Sequence, residues 1–178
     1  MSQPPAVIEL QVDKVGQLFD TLDPMPFREK DLDREAEDFI VGWARELPRN
    51  APLHIRVHVP EAEAASDHAK DLRLAIGRYF SYRVEVLGRD LTELFRMGRY
   101  SLFVGLVVLV ICVMGGQLAA KDLVTGQFGA AVYEGLIILG WVANWRPIEI
   151  FLYDWWPIVR HRKLLQRLAR ADISIVGR

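Results

Sequence analysis

The chain has a single cysteine, Cys112, among its 178 residues. That excludes a disulfide framework within the chain and any cysteine-based zinc cluster. It also lacks a glycine-rich phosphate loop, a nucleophile elbow and an HExxH helix, so the common signatures of nucleotide, acyl-transfer and zinc-protease chemistry are missing. There is no excess of charge of either sign, with 22 Lys/Arg against 23 Asp/Glu. Without a strongly basic region, nucleic-acid binding through such a domain is not expected. No internal repeat or low-complexity run is present. The expectation from these absences is a non-enzyme with no cofactor, no catalytic residues and no metal site.

What is present is unevenly distributed. Residues 1–99 hold 14 Lys/Arg and 18 Asp/Glu, whereas 100–178 hold 8 and 5, so the near-zero total is a cancellation between an acidic half and a basic one. Tyr100 to Ala120 is 21 consecutive residues without a charge, bounded by Arg99 and Lys121. At 1.5 Å per residue such a helix is about 30 Å long, the thickness of a bilayer's hydrocarbon core. A 99-residue polar stretch precedes it, which argues against a cleaved signal peptide. Leu123 to Trp145 is a second run, interrupted only by Glu134. The two runs predict a transmembrane hairpin, with spans at 100–120 and 131–146 and a periplasmic turn at 121–130.

Basic residues gather at the outer ends of the pair: Arg83, Arg89, Arg96 and Arg99 before it, Arg160, Arg162, Lys163, Arg167 and Arg170 after it, with only Lys121 in the connecting turn. The positive-inside rule then puts both termini in the cytoplasm of a bacterial inner membrane. Trp145, Tyr153, Trp155, Trp156 and Arg160 are the expected interface anchors. Pro147 and Pro157 predict an end or kink near Arg146-Pro147, followed by an interfacial amphipathic segment at 147–160 and a basic tail at 161–178.

The polar half reads as a strand-helix-strand domain over 1–60. Ala6, Ile8, Leu10 and Val12 alternate with Glu9 and Gln11, and Leu53 to Val59 repeats the pattern. Between them, Asp31 or Asp33 is expected to cap a helix with Ala36, Phe39, Ile40, Trp43, Ala44 and Leu47 on its apolar face. That order favours a parallel pair, and Asp172 to Val176 is a third strand candidate. From Glu61 to Ala120 a single helix is expected, its part at 61–99 forming an amphipathic stalk.

Phe80, Val84, Leu87, Leu91, Leu94, Gly98, Ser101, Gly105, Val108, Cys112, Gly115 and Ala119 keep an alternating four-three spacing along that helix. This is a heptad seam, bulky in the polar part and small in the apolar part, where close backbone approach drives packing. Its partner is either the chain's own helices or a second copy in a homo-oligomer. The fold class expected is an α+β membrane protein: a small cytosolic α/β domain of two or three strands and one packed helix, joined by a stalk helix to a two-helix transmembrane hairpin.

Candidate chemical residues each have a plain structural reading. His54 and His58 lie about 13 Å apart on a strand, too far to share one zinc ion. Six carboxylates between Glu29 and Asp38 suit a helix start, with a divalent cation as the alternative. Glu134 is a carboxylate inside an apolar run, functional if buried and unremarked if interfacial. Asn144, Arg146 and Glu149 form a second polar group, Arg146 and Glu149 being three apart and able to pair.

Two segments carry a resemblance. Leu18-Phe19-Asp20-Thr21-Leu22-Asp23-Pro24-Met25-Pro26-Phe27-Arg28 leading into Asp31-Leu32-Asp33 is one, and Trp145-Arg146-Pro147-Ile148-Glu149-Ile150-Phe151-Leu152-Tyr153-Asp154-Trp155-Trp156-Pro157 is the other. Both are similar to segments of a family of uncharacterised bacterial membrane proteins in which a short cytosolic domain precedes two spans. The resemblance implies that architecture over nearly the whole chain, and no activity. It suggests that the block from Arg146 to Pro157 is a lipid-facing collar or a docking loop. The functions expected are a self-associating scaffold, anchor or accessory subunit in contact with membrane lipid; the alternatives are a small oligomeric ion or proton channel, and a lipid-acting enzyme.

Overall fold

The computed structural model describes residues 6–119 and 127–178. It divides into two compact units, Met1–Gly88 with Arg160–Arg178, and Arg89–Val159.

In the first unit, three parallel strands lie in the order β1 (Ala6–Gln11), β2 (Leu53–Val59), β3 (Asp172–Gly177). The register sets Ile8 beside Ile55 and Ile55 beside Ile173, with Leu10, Val57 and Ile175 forming the next row. Alternation therefore sends one apolar face inward, where Ile8, Ile55, Val57 and Val59 are fully buried. At roughly 1.5–3 kcal/mol for each such side chain, this face drives the unit's folding.

Helix α1 (Arg34–Glu46) starts at Asp33, whose carboxylate accepts the Glu35 N–H at 2.9 Å. Its buried face is Ile40, Val41 and Ala44, rotated from the expected one. Phe39 and Trp43 are half exposed and pack on each other, ring centres 6.1 Å apart.

The expected single helix from Glu61 is broken. A short α2 (Glu61–Ala64) stops, and α3 (Asp67–Leu118) begins anew after Ser66, whose hydroxyl accepts the Ala69 N–H at 3.1 Å. The first part of the expected stalk at 61–99 is instead built into the sheet domain. Leu72, Ala75, Ile76, Tyr79 and Phe80 are core residues of the sheet domain, with Val84 and Leu87 packed on that core. Nor is 161–178 a tail. After α5 (Trp145–Glu149) and a π-helical turn (Ile150–Asp154), α6 (Trp155–Ala169) buries Leu165 and Leu168 in the same core before β3. Three helices thus cover the sheet where one was expected. Gly77 lies at this contact, where a methyl would meet the Ala169 carbonyl oxygen at an ordinary van der Waals distance of 3.6 Å.

The second unit holds the rest of α3 and α4 (Gln127–Ala143). Residues 127–130 belong to α4 rather than to a turn, and the remainder of the expected turn, with Lys121, lies outside the described residues. The helical path breaks at Asn144, as the prolines suggested, but resumes at once. Pro147 occupies the first turn of α5, where its missing N–H would have no helical partner anyway. Pro157 lies within α6 and lacks the donor that would reach Tyr153, and the wider π turn directly precedes it. A separate segment at 147–160 is therefore replaced by nearly continuous helix from Trp145 to Ala169. Two helical stretches, Asp67–Leu118 and Phe128–Ala169, are long and apolar enough to cross a bilayer.

Candidate functional site

The seam on α3 meets the chain's own second helical stretch. Glycines mark the contacts, because an added methyl would collide: at Gly98 with Ile150 (2.8 Å), at Gly105 with the Asn144 side-chain oxygen (2.7 Å), at Gly116 with Tyr133 (2.8 Å). Gly140 answers from the other side, its methyl position 2.7 Å from Leu109 and 3.4 Å from Cys112. Residue numbers rise on α3 as they fall on the partner, so the two helices run antiparallel.

The row of contact departs from the expected seam at its far end. Gly98, Gly105 and Cys112 are buried as expected, and Ser101 is half-buried. Beyond Cys112 the contact passes to Gly116, while a methyl at Gly115 would meet nothing within 4 Å. The reason is pitch. A straight helix drifts about 20° per heptad from an ideal 3.5-residue repeat, so over the five heptads from Phe80 to Gly115 the facing position slides by about 100°, or one residue. Leu91 and Leu94 lie half-buried earlier on the row, Leu87 belongs to the edge of the sheet domain, and Ala119 is half-buried at the end.

Asn144 is the buried polar residue of this hairpin, 7% exposed. Its amide nitrogen donates to the Gly105 carbonyl at 3.0 Å and the Gly140 carbonyl at 2.9 Å. Both donors are spent on backbone oxygens, one on each helix. The side chain is therefore a latch, with no donor left over for a ligand.

Next to it stands a surface ion network. Arg146 pairs with Glu149 at 3.2 Å and, across the π turn, with Asp154 at 2.9 Å. Trp145 donates its indole N–H to Glu149 at 2.9 Å, and Trp155 donates to the Phe151 carbonyl at 3.0 Å. Asp154 is the member that sequence spacing missed, since it is eight residues from Arg146. Trp145, Tyr153 and Trp156 are each about two-thirds exposed, and Arg160 is exposed. Glu134 is exposed on α4, one residue past the Tyr133 that packs on Gly116.

In the sheet domain, Tyr79 donates to Glu37 at 2.7 Å, and Arg83 donates to the other oxygen of that carboxylate at 3.2 Å, tying α3 to α1. On the polar face of the sheet, His54 Nε2 and Ser174 Oγ are 2.7 Å apart and His54 Nδ1 is 3.5 Å from Asp172. The residue order is that of a nucleophile, base and acid, but the geometry is not. The carboxylate is beyond hydrogen-bond length, largely exposed, and shared with Arg73 at 3.6 Å.

The segment at 20–32 bounds a cleft of about 350 Å³ lined by Asp23, Arg28, Lys30, Asp31, Tyr79 and Tyr82 among others. Asp23 accepts the N–H groups of Asp31 (2.8 Å) and Met25 (3.0 Å), which hold its carboxyl below the usual range. Asp31 is pushed up, by burial first and then by the Asp23 charge. Among the described residues no three His, Cys, Asp or Glu side chains are grouped to hold a metal ion, so the carboxylates of 29–38 are spread along a helix start and its loop.

No family model, curated protein or solved structure matches the chain.

Proposed function

We propose that the chain is a bacterial inner-membrane protein whose hairpin spans the bilayer with both termini cytoplasmic, and that it works as a scaffold, anchor or accessory subunit without chemistry of its own. The observation that carries this reading is the contrast between the two faces of the hairpin. Inside, small residues and one satisfied asparagine seal the helices together. Outside, Phe103, Ile111, Phe128 and Trp141 are each more than 60% exposed, with Leu106, Val110, Met114, Ile138 and Leu139 around them. Exposed apolar area on that scale needs lipid or a partner to cover it. The resemblance to two-span bacterial membrane proteins points the same way. Self-association in this reading uses the outer faces, since the glycine seam is occupied by the chain's own second helix.

The test is compartment-specific labelling in a Cys112→Ser background. A cysteine at Gly126 should react with an impermeant reagent in intact cells, and one at Arg170 only after the membrane is opened. Labelling of Gly126→Cys only after opening would overturn the orientation, and equal labelling of both in intact cells would overturn the hairpin.

One observation favours the channel reading: Glu134 is a carboxylate on the outward apolar face, where a second copy would cover it. Its depth counts against a pathway. It is level with Gly116, four residues from the end of the uncharged run, or about 6 Å from the boundary at 1.5 Å per residue. A glutamate side chain spans much of that distance by turning outward. Proton flux into liposomes that disappears in Glu134→Gln would establish the channel; no flux from the parent chain would remove it.

A further inference from the structure

We infer that Arg160, Arg162 and Lys163 form a cationic collar on α6 that selects anionic phospholipid headgroups around the second span. The inference rests on the membrane reading above and adds to it the chemistry of the lipid partner.

The first observation is charge without a counter-charge. Helix α6 carries Arg160, Arg162, Lys163 and Arg167 and has no carboxylate. The carboxylates nearest in sequence are committed elsewhere, Asp154 to Arg146 at 2.9 Å and Asp172 to Arg73 at 3.6 Å and His54 at 3.5 Å. Arg167 is spent on the carbonyls of Pro48 (2.8 Å) and Ala51 (3.0 Å). Among the described residues, Arg160, Arg162 and Lys163 enter no ion pair. Arg162 is held close over α3, where a methyl on Gly88 would lie 3.4 Å from its Nη2, and its Nε is buried without an acceptor. A cation fixed in this way costs free energy unless an anion stands nearby.

The second observation is arrangement. At 100° and 1.5 Å per residue, the three side chains leave the helix about 60°, 100° and 160° apart, yet within about 4.5 Å of one depth. No single phosphate reaches all three, whereas a plane of phosphates at this depth meets the exposed Arg160 and Lys163 separately, with Arg162, held beside α3, adding to the local positive charge. The collar also begins one turn, about 6 Å, past Trp156, whose exposed indole is a headgroup-level anchor in this reading. That places it within a Debye length of the lipid phosphates, about 8 Å at physiological salt. Arg170, some 21 Å past Trp156 along the helical rise, is beyond that reach.

Each annular lipid meets one cation at a time, so the expected selectivity is that of a single basic residue near an anionic surface, about fivefold. The test reconstitutes the full chain into phosphatidylcholine vesicles with trace spin-labelled phosphatidylglycerol or phosphatidylcholine, and measures by electron paramagnetic resonance how strongly each associates with the protein. The parent should favour phosphatidylglycerol about fivefold. The exposed pair R160Q/K163Q should cut that preference most of the way to equality, and so should molar salt with the parent chain, which keeps the test alive if the variant folds poorly. Equal association of the two lipids with the parent overturns the collar and leaves the hairpin standing. Loss of the preference on adding millimolar inorganic phosphate at constant ionic strength also overturns it, because a discrete phosphate pocket would then be the site. A chain that restricts neither lipid overturns the membrane reading itself.

Discussion

The amide nitrogen of Asn144 lies 3.0 Å from the carbonyl oxygen of Gly105, thirty-nine residues earlier in the chain. With its second bond, to Gly140 at 2.9 Å, it ties the start of the break between α4 and α5 to the middle of α3. Replacing it by leucine removes both donors and puts a branched side chain against a glycine that has no room to spare. In the bilayer setting proposed above, a side-chain hydrogen bond between helices is worth about 0.6–1.7 kcal/mol. Asn144→Leu should therefore lower hairpin stability by roughly 1–2 kcal/mol, the upper part coming from the bulk. Thermal unfolding of the detergent-solubilised chain followed by circular dichroism measures it; an unchanged midpoint would show that the latch contributes nothing.

Gly105 and Gly115 make a paired test of the contact row. A methyl at Gly105 would sit 2.7 Å from the Asn144 side-chain oxygen and 3.0 Å from the Ala143 carbonyl, so Gly105→Ala must displace the latch. At Gly115 nothing lies within 4 Å, and alanine there gains helix propensity of up to about 1 kcal/mol. The first substitution should lower the melting point and the second leave it equal or higher. A lowered melting point for Gly115→Ala would mean that the heptad seam, rather than the drifted row through Gly116, is the true contact, and an unchanged one for Gly105→Ala would remove the contact with Asn144.

The difference between those two glycines shows how far the sequence carries. Strands β1 and β2 were legible because alternation survives in a half-buried strand, and the long apolar helix through Tyr100 to Leu118 because 21 residues pass without a charge. The four-three spacing was legible too, but it looks the same whether Phe80 packs in a sheet domain's core or in a coiled stalk. The break before α3 turns on one serine hydroxyl. Helix α6 was read as a basic flank because its arginines outnumber the leucines at 165 and 168 that dock it. Asn144 could be picked out as polar, but its partners are backbone carbonyls, which have no signature in a sequence. Arg146 was paired with Glu149 by helical spacing, whereas Asp154 reaches it only across a π turn.

The hydroxyl of Tyr79 joins α3 to α1 through Glu37 at 2.7 Å. Tyr79→Phe keeps the ring, which is 8% exposed, and removes that bond. A hydrogen bond to a charged partner contributes about 1.5–3 kcal/mol, and Arg83 remains to hold the carboxylate, so the loss should fall near 1–1.5 kcal/mol. Faster amide exchange in β2, read by mass spectrometry, would register it. Exchange at the parent rate would show that Arg83 alone supports the contact.

Asp31 gives the sheet domain a pH dependence of definite sign. Burial and the Asp23 carboxylate raise its pKa above the ordinary 3.8, with Arg83 opposing. In the window between 3.8 and that raised value the folded chain holds a proton that the unfolded chain has lost. The term therefore weakens the fold as pH rises through the window and is absent below it. Asp23 works the other way, since backbone donors lower its pKa, and its stabilisation disappears only as pH falls below the ordinary range. Asp31→Asn deletes the first term and leaves the Asp31 N–H that Asp23 accepts. The residue is exposed, so the gain at pH 7 should be only a few tenths of a kcal/mol, shrinking to nothing near pH 3. The difference in β2 amide protection between parent and variant at the two pH values isolates it from other carboxylates, which titrate equally in both. A variant less protected than the parent at pH 7 would mean that the Asp31 charge is held by Arg83 more strongly than burial and Asp23 oppose it.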